Sequence, residues 1–398
     1  MEPISFIIPS RNNLSYLKMC YNSIRKNAGY RHEICFADDA SSDGTWEWLE
    51  GISEKDNLVK IYRNVGPERE GLTILYDFLV ENVATTDRLL FFHSDMYLMP
   101  DALEEIDKYL KEGVVVSLTR VEPPLHPSGV EKITEDFGVE PEELEELEML
   151  NWYEKFYNPP QETTEGVFAP WAITRDDFNG VGGHDKLFRP QSKEDSDIFN
   201  RLQLNGVKFV QTWKGLVYHM TCRGSRFNPM AGGGVGKDSP EWIHTTTKNM
   251  RNFVRKWGQM VEHDEYMKPI ITPKYDIVFN LTDDCPIDIL NAIEPWCSSM
   301  YIPNDDVIRV YIEKEQELTD YDLTEKLHLN NSVWCKPDIE VRFNPKSISQ
   351  DSWNIIQQLP KIIQDSGEEG ETFELDIFEI VINKMKTYEK ELIKCHIN

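Results

Sequence analysis

The stretch Phe36-Ala37-Asp38-Asp39-Ala40-Ser41-Ser42-Asp43-Gly44-Thr45 decides how this chain is read, together with Leu89-Leu90-Phe91-Phe92-His93-Ser94-Asp95-Met96-Tyr97. In each, an apolar run breaks into an acidic turn. Carboxylates at the carboxyl ends of neighbouring buried strands sit where open α/β sheets bind their ligands. Working outward, strands are predicted at Ile4–Pro9, His32–Ala37, Leu58–Tyr62, Arg88–Phe92 and Val114–Thr119. Between them fall helical patterns that carry Leu14, Leu17, Tyr21 and Ile24, then Thr45–Ile52, Gly71–Val83 and Ala102–Leu110. Strands and helices alternating at this spacing imply an α/β class with a mostly parallel, twisted sheet and right-handed crossovers.

From Glu131 to Tyr157 the chain becomes acidic and helical, which reads as a surface insertion near the site rather than a sheet element. Helical patterning returns at Asp197–Leu204 and Trp242–Trp257. Pro269 and Pro273 then flank a predicted linker over residues 263–274, separating a domain of residues 1–262 from a small acidic α/β domain of residues 275–398. In that second domain strands are expected at Tyr275–Asn280, Val307–Ile312, Ile339–Phe343 and Phe373–Val381, and helices at Pro286–Trp296 and Gln350–Ile363.

With 398 residues the chain is long enough for two cores. Its formal charge of −27 disfavours general nucleic-acid binding, which normally needs a basic field. No apolar run approaches the roughly 20 residues that cross a bilayer. A strand starting at Ile4 leaves no room for a signal peptide, so a cytoplasmic protein is expected. The seven cysteines are scattered and form no CxxC pair, which suggests buried thiols rather than zinc ligands or a disulfide framework.

Read together, "ISFIIPSRNN", "FADDASSDGTW", "FFHSDMYLMP", "GGHDKLF", "KEDSDIFNRLQLNG", "VYHM" and "FVRKWG" make the first ~260 residues resemble family 2 glycosyltransferases of the GT-A fold. The C-terminal ~125 residues are not covered. The resemblance implies a nucleotide-diphosphate sugar donor, UDP-linked by preference, and transfer of a hexosyl group to an acceptor hydroxyl with inversion. It places Asp39 on the nucleobase imide, with Pro9, Ser10, Arg11 and Ser94 lining the nucleotide. The alternative for Asp38, Asp39 and Asp43 is a set of Asx turns and a helix cap. Asp95 is the implied ligand of Mn²⁺ or Mg²⁺, which would neutralise the diphosphate leaving group. His219 is the implied second ligand, and the first carboxylate of the family's DxD is replaced here.

Asp195 is the implied general base, because a single displacement must take the acceptor's proton as it attacks. Glu194 would orient the acceptor or take that role itself. Asp197 would cap the helix or face solvent, and Arg201 would pair with these acids. Arg223 and Arg226 would clamp the diphosphate or else be surface charges. The glycine-rich Ala231–Asp238 is not a phosphate loop, since no strand leads into it and no Ser or Thr follows Lys237; a flexible lid is expected instead. Gly183, His184 and Asp185 fall on the acceptor side, and Trp171 with Phe168, Trp152 and Tyr153 would form an aromatic floor.

A retaining transferase is the rival within the class, disfavoured by Glu194-Asp195. A nucleotidyltransferase would carry a glycine-rich loop after the first strand, and Pro9–Asn13 has no glycine. A catalytically silent sugar- or protein-binding module is the third reading. Acceptors would be soluble: a glycan, a protein side chain or a modified base. The second domain would present an acceptor, self-associate or bind a partner enzyme.

Overall fold

A computed structural model describes residues 1–221, 226–227, 229–234, 236–330 and 337–396. They divide into two compact units, Met1–Thr246 with His263–Pro269, and Thr247–Glu262 with Ile270–Asn398. No helix of the described residues is long and apolar enough to cross a membrane.

The first unit contains strands β1 (Ser5–Ser10), β2 (Glu33–Asp39), β3 (Val59–Asn64), β4 (Arg88–Phe91), β5 (Met96–Leu98), β6 (Val114–Glu122), β7 (Ile133–Thr134), β8 (Thr163–Thr164), β9 (Trp171–Thr174) and β10 (Lys208–His219). Its helices are α1 (Leu14–Asn27), α2 (Thr45–Ser53), α3 (Leu72–Asn82), α4 (Ala102–Tyr109), α5 (Glu146–Lys155), α6 (Arg175–Gly180) and α7 (Glu194–Leu204), and α8 (Pro240–Trp257) begins in it. The main sheet runs β3-β2-β1-β4-β9-β6-β10-β5. β1 lies parallel to β2 and β4, β2 to β3, and β6 to β10, while β9 and β5 run antiparallel to their neighbours. Every residue of β1, β2 and β6 is buried, as expected for strands covered on both faces. This is the mostly parallel, helix-flanked architecture that the sequence implied.

Register positions the site. Ser10 pairs with Asp38, so β1 and β2 end level with each other. On the far side Met96 of β5 pairs with His219 of β10, and the Met220 N–H donates to the Asp95 carbonyl at 3.0 Å. Residues 131–157 are less of an appendage than expected. Ile133–Thr134 joins the sheet beside Val121–Glu122, and α5 buries Met149 against Tyr97, Leu216 and Tyr218.

The second unit holds β11 (Ile277–Leu281), β12 (Ser299–Ile302), β13 (Leu327–Leu329), β14 (Ile339–Phe343), β15 (Thr372–Leu375) and β16 (Phe378–Ile382), in the order β13-β12-β11-β14-β16-β15. The first four are parallel and the β15–β16 hairpin is antiparallel. Helices α9 (Ile287–Ile293), α10 (Asp305–Glu315), α11 (Leu323–Lys326) and α12 (Gln350–Ser366) accompany them. The predicted strand Val307–Ile312 is wrong: it lies inside α10. Asn304 caps that helix, Asp305 and Asp306 suit its amino end, and Ile308, Tyr311 and Glu315 are buried at helical spacing. The division between units falls within α8 rather than after Glu262. Arg255 donates to the fully buried Glu294 at 2.6 Å, and Lys326 and Tyr311 also reach that carboxylate, at 2.7 and 2.9 Å.

Candidate active site

A cleft of about 520 Å³ opens in the first unit at the carboxyl ends of β1, β2 and β4. Of the three acids at and just past the end of β2, only Asp39 lines it. Asp43 accepts from the Leu14 and Thr45 N–H groups at 3.0 and 3.1 Å, which ties the starts of α1 and α2 together. Asp38 is buried, accepts from the Ser41 N–H at 3.2 Å and stands 3.8 Å from Arg63. Asp39 is clamped from behind. One oxygen accepts from Asn64 Nδ2 (2.9 Å) and the Glu70 N–H (2.8 Å), and the other accepts from the Gly71 N–H (3.0 Å). Gly71 has φ 85° and ψ 169°, and a Cβ there would stand 2.3 Å from the Pro190 carbonyl oxygen, so only glycine fits. Pro9, Ser10, Arg11 and Ser94 line the same cleft. Ser10 Oγ is buried without a hydrogen-bond partner among the described residues, and Ser94 Oγ accepts from Asn13 Nδ2 at 2.8 Å.

Below them His93, Asp95 and His219 each offer one ligand atom, all within 4.8 Å of one another. That spacing is what bonds of up to about 2.4 Å to a single cation permit. His93 occupies the place of the missing DxD carboxylate, so the motif reads His-Ser-Asp. Burial lowers the pKa of His93, which leaves its imidazole neutral and able to donate a lone pair. Burial also acts against the His219 cation, but Asp95 and Glu122 outweigh it and lift His219 to about 9. Two imidazoles and one carboxylate make a mixed nitrogen and oxygen donor set suited to a first-row divalent ion.

The third element is the amino end of α7. Lys193 stands before it with φ 74°, and Glu194 and Asp195 follow in the first turn, both lining the cleft. Glu194 is 6 % exposed, and its Oε2 has no hydrogen-bond partner among the described residues. Burial, reinforced by the Asp195 charge, pushes its carboxyl up to about 8. Asp197 neither caps the helix nor faces solvent. It is fully buried against Arg201 Nε at 2.7 Å, and Arg201 also donates to the Val181 and Gly183 carbonyls.

Residues 5–182 match the model of glycosyl transferase family 2. Over these residues the first unit is similar to family 2 glycosyltransferases. Abequosyltransferase RfbV of Salmonella typhimurium (strain LT2) is 35% identical over 113 residues, which cover 27% of this chain and 32% of that protein. The match thus spans about a third of this relative's length. Among solved structures, GalNAc-T7 with UDP, GalNAc and Mn²⁺ aligns at a TM-score of 0.46 and 17% identity, over 64% of this chain and 48% of the other. Mannosyltransferase PcManGT from Pyrobaculum calidifontis, in complex with GDP-Man and Mn²⁺, aligns at 0.39 and 15%, over 55% and 57%.

Several of the expected site residues lie elsewhere. Trp171 is a core residue, 1 % exposed and stacked on Phe91 at 4.2 Å, so it is no acceptor floor. His184 is buried with Nδ1 2.7 Å from Asp77, and Asp185 caps the short turn at Leu187. Gly183 has φ 72°, and its Cβ would meet the Asp77 carboxylate at 2.4 Å. These three shape the protein beneath α7 and do not line the cleft. Trp152 and Tyr153 pack in the cluster around Tyr218, whereas Phe168 does line the cleft, under Arg120 at 3.9 Å. Arg226 lines it with Asp238 2.6 Å from its Nε. Arg223, and Val235 of the expected lid, lie outside the described residues.

The cleft also contains residues that the sequence did not announce. Arg69 stands 3.8 Å from Asp39 and donates to Gln191 at 3.1 Å. Arg120, Glu122 and Lys132 come from the end of β6 and the segment before β7. His93 had a readable signal, its place in the DxD position. Arg69 and Lys132 sit in loops without a local pattern, and Arg120 and Glu122 lie past the predicted end of β6 at Thr119.

Proposed function

We propose that the first unit transfers a glycosyl group from a nucleotide-diphosphate sugar, UDP-linked by preference, to an acceptor hydroxyl with inversion at the anomeric carbon. One observation carries this reading: Asp39, the His93–Asp95–His219 cluster and the Glu194–Asp195 pair all line one cleft. The sugar-transferring name of the Salmonella relative agrees with it.

Asp39, held by two backbone N–H groups, accepts from a nucleobase imide, and the Ser10 hydroxyl is placed for a ribose oxygen. His93, Asp95 and His219 would hold the divalent ion, Mn²⁺ rather than Mg²⁺, and that ion when bound neutralises charge on the departing diphosphate. Asp195 takes the proton of the attacking hydroxyl. Glu194, with its carboxyl protonated near neutral pH, donates a hydrogen bond to a sugar or acceptor oxygen. Residues 275–398 serve as an accessory α/β domain.

The test is product stereochemistry. With a turned-over nucleotide sugar, proton NMR of the first-formed product should show the anomeric configuration opposite to the donor's. Asp195→Asn should lower kcat by 10²–10⁴-fold while nucleotide binding stays within threefold. Retained configuration, or a fully active Asp195→Asn, would refute the assigned mechanism.

A further inference from the structure

The ion site continues beyond its three candidate ligands. His219 Nδ1 lies 2.9 Å from Glu122 Oε1, while its Nε2 faces Asp95 at 3.5 Å. Glu122 is 2 % exposed and is itself fixed: Arg120 Nη1 donates to Oε1 at 3.0 Å and Lys132 Nζ to Oε2 at 2.8 Å. Arg120 is held by the ring of Phe168 at 3.9 Å and stands 3.8 Å from Glu131. These residues come from adjacent strands, because Tyr218 of β10 pairs with Val121 of β6, which pairs in turn with Ile133 of β7. An anchored carboxylate on Nδ1 requires a proton there. In the neutral ring that would bind a cation, the lone pair of His219 is then confined to Nε2, on the side of Asp95 and His93.

We propose that Glu122 is a positioning residue for the ion site, fixing the tautomer and ring orientation of His219 so that Nε2 ligates, with Arg120 and Lys132 anchoring the carboxylate. This rests on the reading of His93, Asp95 and His219 as ion ligands. Residues 131–134 acquire a purpose from it: they close the shell around Glu122 in addition to extending the sheet. Partners at this distance from a metal typically govern 10–100-fold in affinity.

The experiment is Mn²⁺ titration by calorimetry and electron paramagnetic resonance, with and without UDP, on wild type, Glu122→Gln, His219→Gln and the double variant. Glu122→Gln should raise the Mn²⁺ Kd by 10–100-fold and alter the visible spectrum of the Co²⁺-loaded protein. In the His219→Gln background the same change should shift Kd by less than threefold, because its route of action is gone. Should Glu122→Gln fail to fold, Glu122→Asp keeps the charge but shortens the arm, and is expected to weaken Mn²⁺ at least threefold. Normal Mn²⁺ affinity in the folded variant, or an equal loss in both backgrounds, would overturn the positioning role alone. Absence of Mn²⁺ binding by wild type under both conditions would remove the ion-site reading and the inference with it.

Discussion

Gly71→Ala tests whether the Asp39 clamp is built as described. Gly71 adopts φ 85° and ψ 169°, a region essentially reserved for glycine, and forcing alanine into it costs about 1–3 kcal/mol. The new methyl would also stand 2.3 Å from Pro190 O and 2.4 Å from Pro190 Cβ. Relieving that overlap moves backbone, at a further cost of about 1–3 kcal/mol. Gly206 provides the control, with φ 84° and nothing within 4 Å of its Cβ, so Gly206→Ala carries only the conformational part. A loss of about 4 kcal/mol at Gly71 corresponds to a fall in Tm of about 10 °C for a domain of this size. Because the Gly71 N–H binds Asp39 Oδ2, the same displacement should weaken UDP binding at least about tenfold. Differential scanning calorimetry and titration calorimetry read the two effects. A Gly71→Ala protein that melts with Gly206→Ala and binds UDP normally would refute the reasoning.

In the second unit, Glu294→Ala should destabilise by about 3–5 kcal/mol, because it leaves Arg255 and Lys326 as unpaired buried charges; the calorimetric transition of that unit measures it. Burial, aided by nearby cations, lowers His32 to about 4, so its folded form favours the neutral ring. Its contribution to stability is complete above pH 6.5 and is lost as pH falls toward 4, by no more than about 2 kcal/mol after screening. His32→Gln should flatten that part of the stability–pH curve, measured by urea unfolding; an identical slope in both proteins would refute it. Lys132→Met should leave Mn²⁺ affinity within threefold, since the contact of Glu122 with His219 Nδ1 survives, and a loss as large as that of Glu122→Gln would contradict this.

The sheet was legible where strands are buried on both faces. The runs predicted at Ile4–Pro9, His32–Ala37 and Arg88–Phe92 are central strands, and Asp39 and Asp95, just past the last two, line the cleft. Tertiary context decided the rest. β6 runs to Glu122 instead of stopping at Thr119, and those three residues bring Arg120 and Glu122 to the site. β7 is two residues long and has no periodicity to detect. The apolar run Val307–Ile312 suits a strand by composition but follows the Asn304 cap and becomes helical. His184 stands in a segment that resembles the family's acceptor side and Trp171 in an aromatic-rich one, yet each packs inward on Phe91 or Asp77, contacts that no spacing reveals. His93 is the instructive case. A DxD pattern announces carboxylates, while a nitrogen donor in the same place satisfies the geometry.

The most direct test is calorimetric binding of UDP with Mn²⁺ to wild type and to Asp95→Ala. Metal-dependent binding by wild type that falls at least tenfold in the variant is the predicted result. Binding by neither protein of UDP, GDP, dTDP or CDP, or metal-independent binding of equal strength by both, would contradict a metal-assisted nucleotide-sugar site.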